Sequence, residues 1–386
     1  MTEMARKLAV RTHQAAAAPA PVEPRRVVIN GRFAGRPVTG VERFASEIVM
    51  ALDGLLTARH PLTDGLRVCL AVPKGTKVGF PLAEIKTQEV GRMSGYAWEQ
   101  IELPVFARTD VVLNLCNIAP ILGVRNVTCV HDAHIWLVPD NYSLTFRIAY
   151  WVLQPLSIRR SRSWVTVSQT SSDELVECGA ANRPSEAITY NGADHASQWS
   201  PAQARLDVSK LPARYVFALG SKSPNKNMAL IYALADRLAP TGIGVVVAGG
   251  SNSRIFGQSA ETASPNAIHV GRVSDDDLAL LFRGAQGFLF PSLHEGFGLP
   301  AVEAMQLGCP VIASSAPAMP EVLGTAAVLC DPHNVDAWVV AVQRLCGNAQ
   351  WRQQLIERGR ERAASYSWRA SALKLLPLLS DAGSRT

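Results

Sequence analysis

The sequence predicts an α/β protein of two doubly wound domains, and three observations carry that expectation. From Arg26 onward, short apolar runs of strand length alternate with segments of helix length. Two such series follow one another, separated by a polar stretch at residues 191–212. The chain of 386 residues is long for one core and comfortable for two. Apolar strands joined by helices indicate parallel sheets covered on both faces.

Residues 1–25 are rich in Ala and Pro and lack a continuous apolar core of signal-peptide length, so a disordered tail is expected there. The first domain, 26–190, should contain strands at 27–29, 68–72, 111–113, 127–130, 164–167 and 187–190. The second, 213–365, should contain strands at 215–219, 244–248, 268–270, 287–290, 311–313 and 327–329. Amphipathic helices are expected at 336–346 and 351–364, and a last helix within 366–386.

Composition narrows the classes. Hydrophobic residues make up 48% and charged residues 18%, as in an ordinary globular protein. The net charge of +6 suits anionic ligands or a phospholipid surface, but no nucleic-acid motif accompanies it. Seven cysteines, none in a Cys-x-x-Cys pair, read as free thiols in a reducing cytoplasm. No apolar run reaches the length of a membrane span. Residues 141–162 mix Phe146, Ile148, Tyr150, Trp151, Val152 and Leu153 with four arginines. Such a helix packs into a core or lies on an anionic membrane, with Pro155 interrupting it.

Residues 291–303 read Pro-Ser-Leu-His-Glu-Gly-Phe-Gly-Leu-Pro-Ala-Val-Glu. They follow an apolar strand, and Pro300 suits the first turn of a helix that Gly308 would stop. Gly296 and Gly298 permit close backbone approach to a ligand. Free N–H groups at the helix start suit phosphate. Glu295 and Glu303 cannot bind phosphate but suit the hydroxyls of ribose or a sugar. Phosphate donors flanked by hydroxyl acceptors describe a nucleotide-sugar site. The glycines alone would fit many strand-to-helix turns; the combination is far more specific.

This segment, from His294 through Val311, closely resembles the Glu-x7-Glu signature of retaining glycosyltransferases of family 4, bacterial polysaccharide type. The resemblance implies the GT-B fold, two Rossmann-like doubly wound domains facing across a cleft. It implies retaining hexosyl transfer, with mannose favoured, from a nucleotide sugar (GDP-mannose or a UDP-sugar) and no other cofactor. The acceptor would be a carbohydrate or a polyprenyl-diphosphate-linked glycan. Localisation would be cytoplasmic, with peripheral contact at the inner face of the cell membrane.

The resemblance also assigns roles. Lys226 matches the family's diphosphate lysine, whereas Ser221 stands where the family commonly has arginine; Lys222 and Arg272 are candidates to replace it. Gly40 lies in the first Gly-containing loop, with Arg43 a turn beyond it. Gly250, Arg272 and Val273 line the donor, together with Glu295, Gly296, Phe297, Gly298, Leu299 and Glu303. His131 of the His131-Asp132 pair contacts the donor sugar, or is a satisfied structural histidine. No metal site is expected. His131-x-x-His134 follows a strand and lacks a third ligand, and Asp275, Asp276 and Asp277 read as a helix cap. Two rival readings are a nucleotide-sugar-binding protein without catalysis, motivated by Ser221, and an epimerase or phosphorylase on the same fold.

Overall fold

The structure, a computed structural model, describes residues 25–381 apart from 124, 222 and 250–263. Most of the expected tail, together with Lys222 and Gly250, lies outside the described residues. The strands of the first domain are β1 (Arg25–Asn30), β2 (Leu66–Pro73), β3 (Lys86–Val90), β4 (Val111–Asn114), β5 (Arg125–Cys129), β6 (Ser163–Thr166) and β7 (Ala187–Ile188). They form one parallel sheet in the order β3-β2-β1-β4-β5-β6-β7. In the second domain β8 (Tyr215–Gly220), β9 (Gly244–Gly249), β10 (Ala267–Gly271), β11 (Gly287–Phe290), β12 (Val311–Ser314) and β13 (Ala327–Cys330) form another. Its order is β10-β9-β8-β11-β12-β13, again parallel throughout.

Central strands are continuous apolar runs because both faces are covered by helices. Val27, Val28 and Ile29 of β1 have no exposed surface. Every strand expected from the sequence is present. β1 starts at Arg25, inside the stretch expected to be tail. β3 was not anticipated, and its composition explains why. Lys-Thr-Gln-Glu-Val has one apolar residue, and only that residue, Val90, is buried. An edge strand needs no apolar run, and its charges discourage pairing with another chain.

Each sheet reverses its strand order beside its first strand, between β1 and β4 and between β8 and β11. Loops diverge at such a point, which leaves a crevice at the carboxyl ends of the strands. The loops that carry the described site residues follow β8, β10 and β11, and on the other side β1 and β5.

The acidic triplet caps a helix. Asp275–Gly284 opens with a capping box in which Ser274 and Asp277 exchange hydrogen bonds. The same acids also brace the neighbouring chain: Asp276 accepts from the Ser200 amide at 2.7 Å and Asp277 from the Arg205 amide at 2.6 Å. Arg43 reaches across the domains to Asp275 at 2.8 Å.

The helix Leu144–Arg160 changes character along its length. Its last turns bury Gln154, Pro155, Ser157 and Ile158. Leu144, Ile148 and Val152, spaced four apart, leave an apolar stripe more than half exposed. All seven cysteines are free. The last helix, Trp368–Asp381, lies against the first domain. Trp368 meets Phe44 at 5.8 Å, and Lys374 Nζ donates to the Ile188 carbonyl at 2.8 Å.

Candidate functional site

The loop after β11 leads into the helix Leu299–Gln306, with Pro300 in its first turn. Gly298 caps it at φ +85°, a conformation that disfavours side chains. A Cβ there would also stand 2.7 Å from Met319 Cε. The close approach that Gly296 permits is to the first domain. A Cβ at Gly296 would lie 2.6 Å from the His131 carbonyl oxygen. Ser168 and Ser171 donate their hydroxyls to the Gly296 carbonyl at 2.6 and 3.2 Å. The glycine-rich loop is thus pinned between the two domains.

At the switch point of the second sheet, Lys226 Nζ lies 2.5 Å from Glu295 Oε1. Lys226 follows β8 and Glu295 follows β11, so the fold alone makes these distant residues neighbours. Burial would raise the Glu295 pKa, but the Lys226 ammonium, assisted by His134, holds it below the ordinary carboxylate value. Glu295 is therefore a carboxylate near neutral pH. Lys226 also lies over the Phe290 ring at 5.2 Å.

On the facing side, His131 is buried, with Phe44 edge-on at 4.7 Å. Its Nε2 is 2.8 Å from the Leu115 carbonyl oxygen. A carbonyl only accepts, so Nε2 carries the proton and Nδ1 is left as an acceptor. Burial lowers the His131 pKa, which keeps the ring neutral. The structural role suggested for His131 is thus present, and it leaves one nitrogen able to accept from a sugar hydroxyl.

Glu303 is held by a chain of hydrogen bonds that the sequence did not reveal. His195 Nε2 lies 3.0 Å from Glu303 Oε1, and Trp368 Nε1 donates to His195 Nδ1 at 3.0 Å. Since Nδ1 accepts, Nε2 must donate to the carboxylate. All three residues are buried. The chain ties the helix Leu299–Gln306 to the segment between the domains and to the last helix.

Other expected contacts separate. Phe297 packs its ring on Tyr190 and Tyr366, at 6.1 and 5.4 Å, so its backbone alone is left to meet a donor. Leu299 is buried and Val273 packs against the core. Arg272 is exposed, and Ser221 accepts from the Ser223 amide at 3.2 Å. Gly40 starts the helix Gly40–Thr57 with open space around it. Arg43 is engaged by Asp275 and so is not a free anion-binding group. Among the described residues no three His, Cys, Asp or Glu side chains converge as metal ligands would.

Two interdomain carboxylates also escaped the sequence reading. Glu321 of the second domain accepts from the Gln169 and Thr170 amides at 2.7 and 2.8 Å, capping a first-domain helix from outside. Glu174 Oε1 meets His294 Nε2 at 2.9 Å. Burial opposes charge on His294, but Glu174 outweighs it and raises the histidine pKa above 6.5. The stabilisation from this charged pair is complete below 6.5 and is lost as pH rises through the raised value. Glu174→Gln is therefore expected to cost about 1–2 kcal/mol at mildly acid pH and little at alkaline pH. Denaturant melts at both ends of that range check this, and a penalty growing with pH would contradict it.

The chain is similar to known proteins in sequence and in fold. Residues 207–362 match the family described as glycosyl transferases group 1. O-antigen chain mannosyltransferase B of Escherichia coli is 29% identical over 258 residues, covering 63% of this chain and 67% of that one. The serotype-specific mannosyltransferase WbdA of the same species is 28% identical over 264 residues, 64% of this chain but only 32% of its own length. Sucrose-phosphate synthase from Thermosynechococcus elongatus superposes with a TM-score of 0.68 at 18% identity, covering 93% of this chain and 99% of that one. These matches support a glycosyltransferase of the GT-B fold, with the group 1 region carried by the second domain.

Proposed function

We propose that the protein transfers a hexose, with mannose favoured, from a nucleoside diphosphate donor to a carbohydrate acceptor during synthesis of a bacterial surface polysaccharide, with retention of anomeric configuration. The observation that carries this is the Lys226–Glu295 pair at the switch point, 2.5 Å apart, with Glu295 also in the field of His134 on the facing domain. Mannose as the sugar rests on the names of the relatives, and GDP-mannose as its donor is our own reading. Retention and the family 4 assignment rest on the Glu-x7-Glu resemblance.

The chemistry follows from charge. As the glycosidic bond breaks, negative charge grows on the departing diphosphate and positive charge on the sugar carbon. Lys226, shared between Glu295 and the phosphate, stabilises the first. Backbone N–H groups at the start of the helix Leu299–Gln306 add to it. The Glu295 carboxylate and Nδ1 of His131 accept from donor-sugar hydroxyls. Glu303, whose Oε1 is held by His195, offers its remaining acceptor capacity to the ribose. None of these roles calls on a metal. Among the described residues no helix is long and apolar enough to cross a membrane. The exposed stripe of Leu144, Ile148 and Val152 supports a peripheral contact at the inner face.

A panel of nucleotide sugars, read by release of free nucleoside diphosphate with and without an added glycan acceptor, tests the proposal. Release that depends on acceptor and survives excess EDTA is the expected result. Binding without release would favour a catalytically silent nucleotide-sugar binder. Conversion without an acceptor would favour an epimerase. Loss on chelation, restored by magnesium or manganese, would overturn the metal-free mechanism.

A further inference from the structure

A cavity of about 960 Å³ opens in the first domain, and five cations line it: Arg32, Arg36, Lys74, Lys77 and Arg92. No Asp or Glu lines it. Two of the cations are partly neutralised from behind, Arg32 by Glu99 and Arg36 by Glu42, each at 3.2 Å. Among the described residues Lys74, Lys77 and Arg92 form no ion pair, and all three side chains are exposed. The loops that carry them come from different parts of the chain. Arg32 and Arg36 follow β1, Lys74 and Lys77 follow β2, and Arg92 follows β3. Folding thus gathers like charges that repel one another, a cost that an anionic ligand would offset.

The cavity adjoins the catalytic cleft. Phe146 on its wall stacks on Tyr142 at 5.5 Å. Burial pushes the Tyr142 hydroxyl up to about 12, with Asp132 and Glu295 adding to the effect, so Tyr142 lies within the field of the site. An acceptor lodged in the cavity would reach the reacting sugar past these two rings. The donor phosphates have their own cation, Lys226, on the opposite domain.

We propose that this basic cavity binds a phosphate or diphosphate group carried by the acceptor. The assignment rests on the transferase reading only for the word acceptor; the anion site itself rests on the cations. A phosphate monoester carries about 1.5–2 negative charges near pH 7, a fair match for three unpaired cations. The tyrosine and phenylalanine rings on the wall suit an apolar or sugar portion beside the phosphate.

The test is direct titration of the full chain with inorganic pyrophosphate and with farnesyl diphosphate. Three proteins are compared: the wild type, Lys226→Ala as a donor-site knockout, and Lys226→Ala with Lys74→Gln/Lys77→Gln/Arg92→Gln added. Lys226→Ala should retain a tight site, and adding the triple substitution should raise the Kd for both probes at least tenfold. The three residues are exposed, so folding is expected to survive, and circular dichroism checks it. Equal affinity for the probes would assign recognition to the diphosphate alone. Tighter binding of farnesyl diphosphate would assign it to a lipid-linked phosphate; either supports the cavity. Binding that is already lost in Lys226→Ala, or that is unchanged when the triple substitution is added to it, would overturn it. Because binding is read without turnover, a failure of sugar transfer with the cavity site intact would count against the transferase reading alone.

Discussion

Lys226→Ala is expected to lower kcat by about 10²- to 10³-fold at saturating donor, the scale for losing one preorganised group at a developing negative charge. A contact that strengthens as the bond breaks acts on the barrier and not merely on KM. Nucleoside diphosphate binding should weaken as well. The structure adds a second effect. Glu295 is largely shielded from solvent, and without the ammonium 2.5 Å away its charge has lost its main support. Its pKa should rise, and activity should then fall toward acid pH more steeply than in the wild type. Lys222→Ala is the comparison. If Lys222→Ala is the damaging change and Lys226→Ala is nearly silent, the diphosphate clamp has been assigned to the wrong lysine. Steady-state kinetics with varied donor, together with a thermal melt, decide between these outcomes.

Glu303→Ala should raise the donor KM and lower kcat/KM by about 10- to 100-fold, or roughly 1.4–2.7 kcal/mol, as for hydrogen bonds to a charged group. It also strands a buried donor, the Nε2–H of His195, so stability should fall by about 1–3 kcal/mol. Glu303→Gln separates the two effects. Its carbonyl oxygen still accepts from His195, so folding should be near normal while donor affinity stays impaired. A folded Glu303→Gln protein with unchanged donor KM would refute the ribose role and leave Glu303 as a structural brace.

The sequence carried what depends on local pattern. The central strands were legible because a strand buried on both faces must be apolar throughout, as Val245, Val246 and Val247 of β9 are. The helix Leu299–Gln306 was legible because Pro300 and Gly308 mark its ends. β3 was missed because Lys86 to Glu89 are polar and face solvent. Contacts between distant segments were not legible at all. Nothing near His195 announces that its ring lies between Glu303 and Trp368. Gly296 was read as making room for a ligand, whereas its neighbour is the backbone of the other domain. Sequence spacing reports which side chains share an element; it does not report which elements meet.

The chain passes between the domains twice, once after β7 and again before the helix Trp368–Asp381, and the two passages touch. A Cβ on Gly192 would stand 2.3 Å from the Trp368 nitrogen, and Asp194 Oδ1 accepts from that same amide at 3.1 Å. A single tether would act as a ball joint, free to swing and twist. Two adjoining strands of covalent chain act as a door hinge and restrict the halves to opening about one line. His195 and Trp368 are built into that hinge, and Glu303 is bonded to it. Under the proposed ribose role of Glu303, a swing of the halves that disturbs the hinge would reach donor binding through these two hydrogen bonds.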